Sequence, residues 1–285
     1  MAAPPILYAW AVPIVAQGAP WDHTWVTSYD NTVHAYRGIA AVVAAKQDYW
    51  YCWGTFHARG GTPVLPHGSL GSQNGDIILA RCLVASNADC SISFAARGTI
   101  FSYGIDGVCH QLANQVLYAT GLGGARPLTV SRAGGYWLSS GIYGAYGLQN
   151  VAWRRKIATC TAVAASPPAR GPSGARGRHP TGSGPKMSED FAPAPPDEFE
   201  EHVATVLGAG RLPLAGQLLA LRAKFQSAAA ADAHLSAAPT TEELNARNQR
   251  FLDDAAKLLG DKDFYAVFGV KAGTSVNLVL PDPSK

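Results

Sequence analysis

The sequence predicts an α+β fold, and three observations carry that prediction. Residues 1–166 hold short runs rich in aromatic and β-branched residues, broken by Gly, Asn and Asp, which is the pattern of strands and turns. Residues 197–285 instead repeat apolar residues at helical spacing. Between them, residues 167–196 are rich in Pro and Gly and lack any apolar period, so they cannot bury a core and form a disordered linker. The chain thus divides into an α+β domain (1–166), the linker (167–196) and a small all-α region (197–285).

The elements follow in order. Residues 1–15 are apolar, with three prolines and no basic flank, which makes a buried strand or arm rather than a signal peptide or a span. Asp22–Tyr29 alternates as a half-buried strand, Asp30-Asn31 is turn chemistry, and Thr32–Tyr36 resumes as a strand. Tyr49–His57 is dense in aromatic residues that suit core packing or the wall of a groove. A Gly-rich loop around His67 leads to strands at 77–86 and 88–95. Residues 102–107 form a turn, and from Cys109 the apolar residues Leu112 and Val116 recur at helical spacing. The Gly/Tyr/Ser-rich stretch 134–147 fits either a strand pair or a recognition loop.

Beyond the linker, a helix runs from Glu198 to Leu207 with Phe199, Val203, Val206 and Leu207 on one face. A second covers 214–231. A third opens on a capping box, Thr240 with Glu243, and ends at Gly260. His202 and His234 stand alone on polar faces, and 261–269 is an apolar motif that packs back on the bundle or binds a partner.

Composition narrows the function. The chain has 285 residues, 47% of them hydrophobic, and a net charge of +3, so nothing calls for a nucleic-acid partner. No segment is long enough to span a membrane. Five cysteines, an odd number without CxxC pairing, suit a reducing compartment or one reactive thiol rather than a metal centre. Neither a cofactor nor a metal is expected. The chain is expected to be cytoplasmic, or exported without a recognisable signal peptide.

The chemistry gathers at two places. Cys109 falls in the first turn of a helix, where unpaired N–H groups and a partial positive charge stabilise a thiolate or an oxyanion. If Asp30-Asn31 closes a hairpin, His23 and His34 become neighbours across it. A helix-start Cys, a strand His and a second polar group are the parts of a thiol nucleophile with its base.

These stretches, His-Thr-Trp-Val with a second His after a turn and then Cys-His-Gln-Leu-Ala-Asn-Gln-Val-Leu, resemble the permuted papain-like superfamily of cysteine hydrolases and acyltransferases. The NlpC/P60-like and lecithin:retinol acyltransferase-like enzymes are members of it. The resemblance implies a papain-like antiparallel sheet with a nucleophile-bearing helix. It also implies Cys109 as nucleophile, His23 as general base and His34 as the group orienting it, with Asp30 and Asn31 as competing orienters. The expected function is a thiol hydrolase of peptidase or amidase type, or an acyltransferase, acting on an amide, peptide or ester through a Cys109 thioester. The alternatives are a transglutaminase-like acyl transferase and a non-catalytic binding or scaffold protein. The latter docks a protein partner through the C-terminal helices.

Overall fold

The computed structural model describes residues 6–13, 21–27, 81–87, 104–120, 129–149, 197–232 and 239–279. Three strands, β1 (Ile6–Pro13), β2 (Asp22–Thr27) and β3 (Arg81–Asn87), form an antiparallel sheet in the order β2-β1-β3. The apolar N-terminal stretch is therefore its central strand. Ala11 pairs with Thr24 and Ala9 with Val26, and a register shift between Ala9 and Trp10 interrupts the pairing with β3. Ala9 and Ala11 are fully buried. Alternate residues share a sheet face, so these two alanines make a low surface beside Thr24 on which a helix can lie close.

That helix is α1 (Cys109–Thr120), which rests on β2 and β1. A second short helix, α2 (Tyr136–Tyr143), follows. After the gap come α3 (Glu198–Leu207), a 3-10 turn (Ala209–Arg211), α4 (Leu212–Asp232), α5 (Thr241–Leu259) and α6 (Asp261–Phe268). The capping box read from the sequence is observed, and α3 has a side-chain cap as well. Asp197 Oδ1 accepts from Phe199 N at 3.0 Å, and Thr240 and Glu243 form both halves of the capping box.

The expected fold class requires correction. The described residues are predominantly helical, and the papain-like antiparallel sheet with an appended all-α region is not their architecture. The hydrophobic core is built from helices and runs through both halves of the chain. Trp21, Val108, Leu138, Ile142 and Tyr143 pack in one cluster with Phe199, Val203, Leu218, Phe251 and Phe268. The residues that forced this arrangement lie in α2. All but Trp137 are buried, and Gly141 has no room for a side chain, since a Cβ there would stand 2.7 Å from the Phe268 ring. A helix buried on nearly every side needs neighbours on every side, and α3, α4 and α6 supply them.

Polar contacts reinforce the join. Arg222 on α4 is buried; its Nε and Nη2 donate to the carbonyls of Gly141 and Ser140, each at 3.1 Å, and its Nη1 meets Asp197 at 2.5 Å. Gln226 reaches the Ile142 carbonyl at 3.0 Å. The Gly141 and Ile142 carbonyls at the C-terminal end of α2 are thus capped by α4, which also shares the Ser140 carbonyl with Gly144 N. His202 is not alone on a polar face: it stacks flat on Trp137 at 3.9 Å and hydrogen-bonds the Val267 carbonyl at 2.9 Å. The 261–269 motif becomes α6, with Phe264, Val267 and Phe268 in the core. Among the described residues no single helix is long and apolar enough to cross a membrane.

Candidate active site

Cys109 is the first residue of α1, as its turn-then-helix sequence predicts. The close turn before it depends on Gly107, where a Cβ would meet the Gln111 side chain at 2.7 Å. Gln111 Oε1 in turn accepts from Val108 N at 3.0 Å, capping the helix start from within. The thiol faces β2: Sγ lies 3.9 Å from the Asp22 carbonyl.

Two opposing influences act on that thiol. Burial pushes its pKa up, and this effect is the largest. Against it stand hydrogen-bond donors that favour the thiolate, from the Thr24 backbone and side chain and from the backbones of His110 and Cys109. Thr24 is itself buried, and its hydroxyl has no hydrogen-bond partner. Burial outweighs the donors, and the free thiol is kept protonated.

His110 occupies a different position from the one a base would need. Its Nδ1 lies 2.8 Å from Ser139 Oγ and its Nε2 lies 3.1 Å from the Asp22 carbonyl. Burial lowers its pKa to about 4, so the ring is neutral at pH 7. A carbonyl only accepts, so the proton of the neutral ring sits on Nε2, and Nδ1 faces Ser139 Oγ, whose hydroxyl also lies 3.0 Å from the Tyr136 carbonyl. Both ring nitrogens are thereby used in holding α1 to α2 and to β2.

The remaining polar residues of α1 fasten the chain around the site. Asn114 donates to the Ala145 carbonyl at 2.7 Å and accepts from Val130 N at 2.9 Å. Gln111 donates to the Gly144 carbonyl at 3.0 Å, and Gln115 to that of Tyr146 at 2.7 Å. The start of β2 is pinned in the same way, with Asp22 Oδ2 accepting from Gly134 N at 2.5 Å. Tyr136 extends the network outward: Asn114 donates to its hydroxyl, which donates to Glu198 Oε2 at 3.1 Å, and Thr129 donates to the same oxygen at 2.8 Å. Burial pushes the Tyr136 pKa well up, so the phenol stays protonated and serves as that donor.

Of the three predicted site residues, Cys109 is placed as expected. His23 lies in β2, between Asp22 and Thr24, the two residues that meet the thiol, and pairs in register with Val12. Its side chain, and all of His34, lie outside the described residues, as does the hairpin turn at Asp30-Asn31. Thr24 and the buried amides of α1 were not singled out by the sequence. An alternation that places 22 and 24 on one face signals the former. Among the described residues no three His, Cys, Asp or Glu side chains gather in a metal-binding group. No family model, no curated protein and no solved structure matches this chain.

Proposed function

We propose that the chain is a thiol-dependent hydrolase or acyltransferase, acting on an amide, peptide or ester bond through a thioester on Cys109. The observation that carries this reading is the place of Cys109, the first residue of α1, with Sγ against β2, the strand that bears His23. Thiol chemistry needs a nucleophile, a base and donors for developing negative charge, and is not tied to one fold. Cys109 Sγ attacks the acyl carbon while its proton passes to a base, for which His23 on the adjoining strand is the candidate. The leaving group takes that proton as the thioester forms, and water or another acceptor then releases the acyl group. Backbone N–H groups at the start of α1 are the donors available to the oxyanion. His34, with Asp30 and Asn31 as competitors, remains the proposed orienter of the base.

A second reading, a non-catalytic binding or scaffold protein, is favoured by one observation: burial raises the Cys109 pKa and leaves the thiol facing a carbonyl, as a structural thiol would. Turnover of a panel of p-nitrophenyl acyl esters and peptidyl anilides separates the two. The enzyme reading expects hydrolysis that falls by roughly 10³-fold or more in Cys109→Ser and in His23→Ala. Turnover unchanged in Cys109→Ser, or absent in the wild type across the panel, supports the second reading.

A further inference from the structure

Residues 274–279 run back along α5 as a segment that belongs to no sheet among the described residues. A turn, closed by Thr274 N on the Lys271 carbonyl at 3.1 Å, sends the chain there after α6. Burial then alternates as in a strand: Ser275 and Asn277 are exposed, whereas Val276 and Leu278 enter the hydrophobic core. The place of a neighbouring strand is taken by two side-chain amides of α5. Gln249 Oε1 accepts from Val276 N at 2.9 Å, and its Nε2 donates to the Thr274 carbonyl at 3.3 Å. Asn245 Oδ1 accepts from Val279 N at 3.0 Å, and its Nδ2 donates to the Val279 carbonyl at 2.8 Å. Each amide offers one acceptor and one donor, as the backbone of a paired strand does. At i and i+4 the two share one face of the helix.

The end of this segment lies on the turn that leads into Cys109. A Cβ on Gly104 would stand 2.7 Å from Val279 Cγ1 and 2.9 Å from Leu244 Cδ1, so these two side chains cover the glycine. Gly104 N donates to the Gly107 carbonyl at 2.7 Å, which closes the turn, and the Gly104 carbonyl accepts from the Tyr143 hydroxyl at 3.0 Å. Gly107 is the residue packed on Gln111, and Val108 N is held by the same side chain, immediately before Cys109. Asn245, Val279, Gly104 and the start of α1 thus form one line of contacts. At its other end the segment hangs from Gly269 and Gly273, where an added Cβ would meet no atom within 4 Å, so nothing crowds a hinge there.

We propose that residues 274–279 are a strap over the entry to α1, fastened by Asn245 and Gln249, and that its release frees the Gly104 turn and exposes the Cys109 thiol while the rest of the fold stays closed. Asn245 is then a positioning residue, acting on Cys109 through Val279 and the turn. The strap controls access to the thiol whether or not Cys109 has an activity, because access is read without any substrate.

Alkylation of the native full chain by iodoacetamide tests this, with the rate followed on the mass of the Cys109 peptide from zero urea up to the unfolding transition. A strap that opens alone gives Cys109 a rate with a shallow dependence on urea at low concentration, well below the slope of global unfolding. Asn245→Ala, which loses both bonds to Val279, raises the rate at zero urea about tenfold and keeps the shallow slope. Val279→Ala keeps both backbone bonds but withdraws its methyl groups from Gly104, and it raises the rate as well. A merely structural role for Asn245 would move the global transition and leave the low-urea rate where it was. Two results overturn the proposal: a wild-type Cys109 that reacts only with the steep urea dependence of global unfolding, or a zero-urea rate that neither variant changes.

Discussion

His110 shows what one buried side chain imposes on the whole protein. The unfolded chain takes up its proton near the ordinary histidine value of about 6.5, whereas the folded ring holds out to about 4. Between those values unfolding binds a proton, so stability is full above the upper value and falls as pH drops through the window. The loss reaches on the order of 3 kcal/mol at the foot of the window. His110→Gln, which can still donate to the Asp22 carbonyl, removes this contribution. Urea unfolding at pH 7 and at about pH 4.5 should therefore show a smaller acid-induced loss in the variant than in the wild type; equal losses would mean that His110 is not held neutral. Asn114 acts by a different route. Asn114→Ala strands the Val130 N–H and the Ala145 carbonyl in the interior, and we expect a loss of about 2 kcal/mol or more by the same measurement. Neither role was legible in the sequence, because the partners lie 16 to 88 residues away.

At the scale of elements, the helices after residue 196 were legible and α2 was not. α3 and α5 each carry an apolar stripe, a cap residue and a terminal glycine, and every one of these signals is local. Thr240→Ala removes half of a reciprocal cap and should cost about 1 kcal/mol in chemical denaturation. An unchanged midpoint would show that the Glu243 side chain holds the helix start unaided. α2 has no stripe, because nearly all of it is buried, and its Ser, Gly and Tyr residues favour neither helix nor strand strongly. Glycines at both ends define it: Gly135, left-handed at φ 74°, and Gly144, at φ 79° with an extended ψ, take positive-φ conformations that bound the helix. Gly141→Ala should destabilise by roughly 1–3 kcal/mol through overpacking against Phe268 and Phe199, although alanine is the better helix former. A stabilised variant would mean that those rings yield at no cost.

The whole molecule is organised by a core that crosses the Pro/Gly-rich segment. Composition divides the sequence into two units, but burial joins what composition separates. Trp21 and Val108 share a cluster with Phe251 and Phe268, and Arg222 closes the end of α2 from across the gap. Arg222→Met takes the guanidinium away from Asp197 and from the Gly141 and Ser140 carbonyls and should cost about 3 kcal/mol in chemical denaturation. A chain ending at residue 196 should fail to give a cooperative melt, since its remaining core would expose α2; a sharp transition in that fragment would restore the picture of an independent N-terminal domain. Acylation of Cys109 is read most directly from the mass of the protein quenched in acid within seconds of mixing with an activated acyl ester. The account predicts one added acyl group, mapped to the Cys109 peptide, removed by hydroxylamine, absent in Cys109→Ala and strongly reduced in His23→Ala. A Cys109 that stays unacylated in the folded protein, and reacts only once the chain is unfolded, would contradict it.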